Sequence, residues 1–315
     1  MKKILYLVIP CYNEEEVLHE TSKQLKEKIN SMIKKDMISE NSRIMFVNDG
    51  SKDHTWDIIQ ELHNQDTLFS GVNLSRNRGH QNALLAGLMT AKKYADVTIS
   101  LDADLQDDIH VIDKFVEKFM EGFDIVYGVR NARTTDTWFK RNTALAFYKF
   151  QALMGVDAVY NHADYRLMSK RALEALSEFK EVNLFLRGLV PLVGFKSCSV
   201  EYARNERFAG ESKYPLKKML AFAWDGITSF SIKPIRFVTM TGFLIFAISL
   251  IIILYSVIRK CMGYTVTGWA FLACSIWMLG GIQLLGLGVI GEYIGKIYNE
   301  VKQRPRFIIE DVINE

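Results

Sequence analysis

The 315-residue sequence predicts an α/β protein built on a central, mostly parallel sheet and followed by an apolar two-helix hairpin. Three observations predict it. Up to about residue 200, short Val/Ile/Leu runs alternate with amphipathic segments, the pattern of parallel strands covered by helices. Polar clusters recur at the carboxyl ends of successive strand candidates, where open parallel sheets hold ligands. Beyond Lys233-Pro234, two long runs almost free of charge replace the alternation.

The strand candidates are Ile4–Ile9, Arg43–Val47, Phe69–Leu74, Val97–Leu101 and Asp124–Tyr127. The first follows two lysines and superficially resembles a signal peptide. Its apolar run is short, however, and stops at Pro10-Cys-Tyr-Asn-Glu14 without a small-residue cleavage site, so it reads as a buried strand. Between the first two candidates, Val17, Thr21, Leu25, Ile29 and Ile33 recur every fourth residue and mark one helical face to be buried against the sheet.

Ile235–Ile258 carries a single charge, Arg236, at its edge, and at about 24 residues it exceeds the length needed to cross a hydrocarbon core of about 30 Å. Trp269–Ile290 is free of charge and about 22 residues long, and Arg259–Gly268 makes a short connection between the two. Gly280, Gly281, Gly286, Gly288 and Gly291 thin one side of the second run, which permits close helix approach and a homo-oligomer within the membrane. Lys217, Lys218, Lys233 and Arg236 precede the hairpin and Lys296, Lys302, Arg304 and Arg306 follow it, against Arg259 and Lys260 in the connection. Positive charge stays inside, so both termini are expected in the cytoplasm. Leu216–Ser231 mixes Met219, Leu220, Phe222, Trp224, Ile227 and Phe230 with Lys217, Lys218 and Asp225, the composition of a helix lying on the bilayer surface. The expected organisation is a cytoplasmic α/β domain over 1–214, a juxtamembrane helix over 215–233, two spans within 234–293 and a cytoplasmic tail over 294–315.

Lys plus Arg (39) nearly balances Asp plus Glu (36), which argues against a dedicated nucleic-acid binder. Cys11, Cys198, Cys261 and Cys274 lie far apart with no Cys-x-x-Cys pair, so neither a zinc site nor a disulfide framework is indicated.

The chemistry-bearing residues gather at strand ends. Asp102-Ala-Asp104-Leu-Gln106-Asp107 follows Val97–Leu101, and residues two apart at a strand end project to one side, so Asp102 and Asp104 can converge on a divalent cation that prefers oxygen ligands. The first strand ends in Pro10-Cys-Tyr-Asn-Glu14 and the second in Asn48-Asp-Gly-Ser-Lys-Asp53, so neighbouring edges point polar groups into one crevice. Asn48-Asp-Gly-Ser also reads as a turn into a helix capped by Ser51 or Asp53. His80 stands at an expected helix start, either beside a diphosphate or in a capping or packing role. His19, His54, His63, His110 and His162 show no ligand spacing. Tyr255, Trp269 and Tyr293, near the span ends, read as interfacial anchors.

These strings, with Leu74-Ser-Arg-Asn-Arg-Gly-His-Gln-Asn-Ala83 and Arg207-x-x-Gly-Glu-Ser-Lys213, resemble in order and spacing the inverting family 2 glycosyltransferases. Within that family the resemblance is closest to the dolichol-phosphate mannose synthase-like branch, and particularly to bacterial bactoprenol glucosyltransferases with two carboxy-terminal spans. It covers essentially the whole chain. It implies the GT-A nucleotide-diphospho-sugar transferase fold, with the transmembrane hairpin attached. One departure is Asn48, where many relatives carry a second Asp, which puts a nucleoside contact by that side chain in doubt.

By the resemblance, Pro10, Tyr12, Glu14 and Asp49 hold the nucleoside, while Asp102, Asp104 and the Gln106 side-chain oxygen bind Mg²⁺ or Mn²⁺. Arg130, Arg141, Arg207, Ser212 and Lys213 surround phosphates. Asp104 and Asp164 are the expected catalytic carboxylates, Asp164 serving either as base or to orient the acceptor, with a buried ion pair to Arg166 as its structural alternative. The donor is a UDP-sugar, UDP-glucose or UDP-N-acetylglucosamine, with GDP-mannose as the alternative. The acceptor is undecaprenyl phosphate on the cytoplasmic leaflet of a bacterial plasma membrane, and a flippase and a second transferase handle the lipid product. Two rival readings have different signatures: a processive polysaccharide synthase would show a Gln-x-x-Arg-Trp string and further spans, and an inactive membrane scaffold would have lost Asp102, Asp104, Arg207 or Lys213.

Overall fold

The computed structural model describes residues 2–130, 162–203, 228, 231–263 and 268–314. The chain forms two compact units, one of Met1–Tyr148, Asp157–Pro215 and Arg304–Glu315, the other of Lys149–Val156 and Leu216–Gln303.

The first unit is organised by a sheet of β1 (Leu5–Cys11), β2 (Arg43–Asn48), β3 (Phe69–Leu74), β4 (Val97–Ser100), β5 (Ile125–Arg130), β6 (His162–Ser169), β7 (Ser197–Tyr202) and β8 (Ile309–Ile313), in the order β7-β5-β6-β4-β1-β2-β3-β8. Only β6 and β8 run antiparallel to their neighbours. β1, the Leu-Tyr-Leu-Val-Ile-Pro-Cys run, is buried along its whole length, as a strand covered on both faces must be. All five strand candidates are present within a few residues of their expected ends. β6, β7 and β8 were not anticipated.

Helices α1 (Glu15–Lys34), α2 (Thr55–Gln65), α3 (His80–Ala91), α4 (Ile112–Met120), α5 (Lys170–Ser177) and α6 (Leu186–Leu192) complete this unit. On α1, Val17, Thr21, Leu25 and Ile29 are buried, but the face then passes through Met32, and Ile33 is only partly covered. A strict spacing of four drifts by about 40° per step on a helix of 3.6 residues per turn, so the apolar face leaves that row after a few turns. Helix α3 lies against β1 and β2, where a Cβ on Gly87 would stand 2.5 Å from both Val47 Cγ2 and Val8 Cγ1.

The tail after the second unit returns to this sheet. β8 pairs with β3 in the register Gly71↔Ile313 and Asn73↔Asp311, covering an edge that would otherwise present unpaired backbone groups. Tyr6 reinforces the return by donating its hydroxyl to Asn314 Oδ1 at 3.3 Å.

The second unit contains α7 (Lys233–Cys261, 29 residues) and α8 (Trp269–Val301, 33 residues). Within α8, Met278–Val301 is long and apolar enough to cross a membrane, and almost none of it is buried. On α7, Phe237, Met240, Phe243 and Leu254 likewise face outward, each more than half exposed. Gly286 admits Val238 of the neighbouring helix, with 3.3 Å to an added Cβ, whereas Gly280, Gly281, Gly288 and Gly291 meet nothing among the described residues. Tyr293, expected as an interfacial anchor, donates its hydroxyl to the Ser231 carbonyl. Most of the expected surface helix over Leu216–Ser231 lies outside the described residues.

Gly87→Ala tests the α3 contact. Helix propensity alone favours alanine by about 1 kcal/mol, but overpacking against two β-branched side chains costs about 1–3 kcal/mol. A lowered thermal midpoint is expected for the variant; an equal or higher one would mean that α3 stands farther from the sheet than 2.5 Å to an added Cβ implies.

Candidate active site

The sheet opens at one point. Pairing of β1 with β4 ends at Val8↔Ser100, while pairing of β1 with β2 continues to Cys11↔Asn48. The strand order reverses between β1 and β4, which places a crevice at their carboxyl ends. Pro10 lies past the last β4 pair, so its missing N–H leaves no bond unmade on that ladder.

Two loops line one side of this crevice and are hydrogen-bonded together. Asn13 N–H donates to Ser51 Oγ (3.0 Å), Lys52 N–H to Asn13 Oδ1 (2.9 Å), Glu14 N–H to Thr55 Oγ1 (3.0 Å) and Glu15 N–H to Asp53 Oδ2 (3.2 Å). Asn13 adopts φ 53°, a left-handed conformation that asparagine tolerates. Tyr12 and Glu14 are partly exposed beside it.

Asp49 is 2 % exposed, and its two oxygens accept from Arg78 N–H (2.7 Å) and Gly79 N–H (2.9 Å). Its carboxylate therefore secures the loop leading into α3. Gly50 makes that contact possible: at φ +60°, an added Cβ would lie 2.5 Å from Asn77 N. Asn48 is buried as well, receiving Ser51 N–H on Oδ1 (3.2 Å) and donating through Nδ2 to Asn73 Oδ1 (2.8 Å). An amide there both accepts and donates, which a carboxylate cannot do.

Across the crevice, β4 stops at Ser100, and Asp102 and Asp104 sit in the turn beyond it, not in the extended register expected from the sequence. What shapes this turn is Leu105 at φ 55°, with Asp104 Oδ1 accepting Gln106 N–H at 3.2 Å. A left-handed leucine costs about 1–2 kcal/mol, and such strain gathers where a loop must hold a functional shape. The Asp102 side chain is 40 % exposed and so faces the crevice. Among the described residues no three His, Cys, Asp or Glu side chains converge as a metal cage. Two carboxylates and an amide oxygen are nonetheless hard donors of the kind a Mg²⁺ or Mn²⁺ accepts, and such ions commonly complete their shell with substrate phosphates and water. The local charge agrees with this: burial, then the nearby Asp102 charge, pushes the Asp107 carboxyl up to about 6.

Asp107 has further partners. Tyr202, at the end of β7, donates its hydroxyl to Asp107 Oδ1 at 2.6 Å and accepts from Arg130 Nε at 3.1 Å; Arg130 Nη2 is 3.7 Å from the same Asp107 oxygen. Arg130 ends β5, so both groups arrive at the crevice edge on parallel strands.

β6 brings the last group. Because it is antiparallel to β4, its beginning lies at the end of β4, with Ser100↔Arg166 paired and Asp164 just beyond. Asp164 Oδ1 accepts from Arg166 Nη2 (2.6 Å) and Oδ2 from Arg187 Nη2 (3.1 Å), while His80 Nε2 stands 3.6 Å from Asp164 Oδ2 and 3.7 Å from Asp102 Oδ1. Burial would raise the Asp164 carboxyl, but Arg187, His80 and Arg166 together hold it well below the usual carboxylate range. Burial opposes protonation of His80, yet the hydrogen-bonding and charge of Asp164, with Asp102, lift its imidazole to about 9.

Of the residues expected at the site, Pro10, Tyr12, Glu14, Asp102, Asp104, Gln106, Arg130 and Asp164 belong to strand ends and turns at this sheet edge, and Asp49 braces it. Arg141, Arg207, Ser212 and Lys213 lie outside the described residues. Sequence reasoning missed Arg187, Tyr202 and the partnership of Asp107. Arg187 did carry a signal, being the one charge within Leu184–Val193. Tyr202 carried none.

Removing Asp164 should therefore cost more at neutral than at acid pH. A depressed carboxylate contributes stability above its unfolded pKa of about 4, and that contribution is lost as pH falls toward the folded value. Asp164→Asn leaves Arg166 buried without its counter-charge, a penalty of about 3–5 kcal/mol. Thermal midpoints of parent and variant should differ widely at pH 7 and converge below about pH 4; a constant gap would contradict the ionised state assigned here.

Residues 6–177 match the family model "Glycosyl transferase family 2". The chain is 55 % identical over 313 residues to the uncharacterized glycosyltransferase YkoT of Bacillus subtilis, covering 99 % of this chain and 93 % of that one. It is 41 % identical over 306 residues to the SfII prophage-derived bactoprenol glucosyl transferase of Shigella flexneri, covering 96 % of each. It is 40 % identical over 308 residues to the prophage bactoprenol glucosyl transferase homolog of Escherichia coli K12, covering 97 % of this chain and 98 % of that one. The mostly parallel sheet, open between β1 and β4 and followed there by an acidic turn, is the GT-A fold expected from the motifs. With a match over more than half its length and relatives alike from end to end, the chain belongs to glycosyl transferase family 2.

Proposed function

We propose that this chain transfers a hexose from a UDP-sugar, UDP-glucose or UDP-N-acetylglucosamine, to undecaprenyl phosphate, inverting the anomeric configuration. The observation that carries this reading is the meeting of an acidic turn, Asp102–Gln106, with a cation-held carboxylate, Asp164, across one crevice. One side suits a metal-bound diphosphate and the other an anionic acceptor. The names of relatives alike over the whole chain support the lipid acceptor.

In this reading Pro10, Tyr12 and Glu14 receive the nucleoside, and Asp49 holds the adjoining loop. Asp102, Asp104 and Gln106 hold Mg²⁺ or Mn²⁺, which when bound offsets the charge growing on the departing diphosphate. A phosphate oxygen of the acceptor attacks the anomeric carbon. The bond from that carbon to the diphosphate oxygen breaks, and its electron pair leaves with the nucleoside diphosphate. A phosphate monoester has its second pKa near 6, so the attacking oxygen arrives without a proton and no general base is required. Asp164, held ionised by its arginines, then orients and does not accept a proton. Arg130, Arg141, Arg207, Ser212 and Lys213 are assigned to the phosphates.

We further assign α7 and α8 as two membrane spans with the first unit in the cytoplasm. The chain leaves the first unit before α7 and returns to it as β8 after α8, and an even number of crossings is what such a path requires. The lipid-linked product would be carried across by a flippase and used by a second transferase.

Purified full-length protein offered labelled UDP- and GDP-sugars with undecaprenyl phosphate and Mn²⁺ should place label in the lipid extract with a UDP-hexose. Chelation should abolish transfer, and Asp104→Asn should lower it by on the order of 100-fold or more. Label entering lipid from none of the donors, or equally well after chelation, would sink the assignment or its metal step respectively.

A further inference from the structure

We propose that Arg187 is the residue that receives the acceptor phosphate, aligned by Asp164 and held in position by Gln81. The proposal rests on the reading of the acceptor as a phosphate monoester. Asp164 is already paired from within by Arg166, whose side chain is 1 % exposed and 2.6 Å from Oδ1. A purely structural pair would need nothing more. Arg187 adds a second guanidinium to the same carboxylate, with Nη2 3.1 Å from Oδ2 and Nε 3.4 Å from Oδ1. This two-point contact fixes the plane of the fork, and a fixed fork loses less freedom on meeting a phosphate. Its side chain is 32 % exposed, so the guanidinium borders solvent beside Asp164.

The placement of Arg187 is set by a link between two helices. Gln81 Oε1 accepts Leu186 N–H at 2.9 Å, tying the start of α6 to the start of α3. Each end of this link has a neighbour facing Asp164: His80 beside Gln81, and Arg187 beside Leu186. His80 in turn approaches Asp102, so a phosphate at Arg187 would lie one imidazole away from the turn that serves the donor.

The test uses full-length protein in detergent micelles and varies each substrate against a saturating level of the other. Arg187→Ala should raise KM for undecaprenyl phosphate roughly 10–100-fold, the loss expected for charge-assisted hydrogen bonds, and leave the UDP dissociation constant unchanged. Arg187→Lys should recover part of the loss. Gln81→Leu should shift the same KM by a smaller factor, with the thermal midpoint lowered by the loss of one hydrogen bond to a buried N–H, and it carries the test if Arg187→Ala does not fold. Inorganic phosphate, a headgroup without the lipid, should compete less well against the variant than against the parent. A rise in the donor KM instead, an unchanged acceptor KM, or equal competition by phosphate in parent and variant each overturns the proposal. A parent that transfers no sugar to lipid defeats the broader reading of function, whereas an active parent with an indifferent Arg187→Ala defeats this inference alone.

Discussion

Everything at this sheet edge depends on the parting of β1 from β4 beyond the Val8–Ser100 pair. Had the two strands stayed paired to their ends, Asp102 and Pro10 would belong to one continuous ladder and no crevice would separate them. Because β1 continues with β2 while β4 turns away, the polar ends of the two strands face each other across a gap. The antiparallel entry of β6 beside β4 then places the beginning of a strand, and with it Asp164, where only strand ends would otherwise be.

Charge at this edge is divided between two neighbouring groups of residues. Asp102, Asp104 and Asp107 crowd one turn, and the proton affinity of buried Asp107 is raised in consequence, while Tyr202 and Arg130 hold its carboxyl from the side. Asp164 shows the opposite balance, with cations outnumbering the carboxylate they surround. Neighbouring groups of the same chemical type are thus driven apart in proton affinity by their surroundings, a pattern common at functional sites. An acidic region suited to a cation adjoins a cationic region suited to an anion.

The backbone carries the cost of this arrangement at few positions. Gly50 is required both by its positive φ and by the closeness of Asn77 N, since any side chain there would displace the loop that Asp49 holds. Leu105 has no such excuse of size, and its left-handed conformation persists inside the acidic turn. On the opposite side of the crevice, hydrogen bonds join the loops at residues 11–15 and 51–55.

Much was legible in the sequence alone. The parallel strands could be read because burial on both faces demands continuous apolar runs, and the acidic turn because unlike residues at a strand end stand out against such a run. The long apolar helices were legible from length and lack of charge. Tertiary structure decided what depends on pairing between distant segments. β6, with Asp164 and Arg166 in it, is too polar to announce itself as a strand, and β8 gains its place only by covering the open edge of β3. Arg187 and Tyr202 meet their partners through contacts more than twenty and more than ninety residues apart in sequence, respectively. Local pattern records what a residue needs, burial or water; which distant group satisfies that need is settled only when the strands take their order in the sheet.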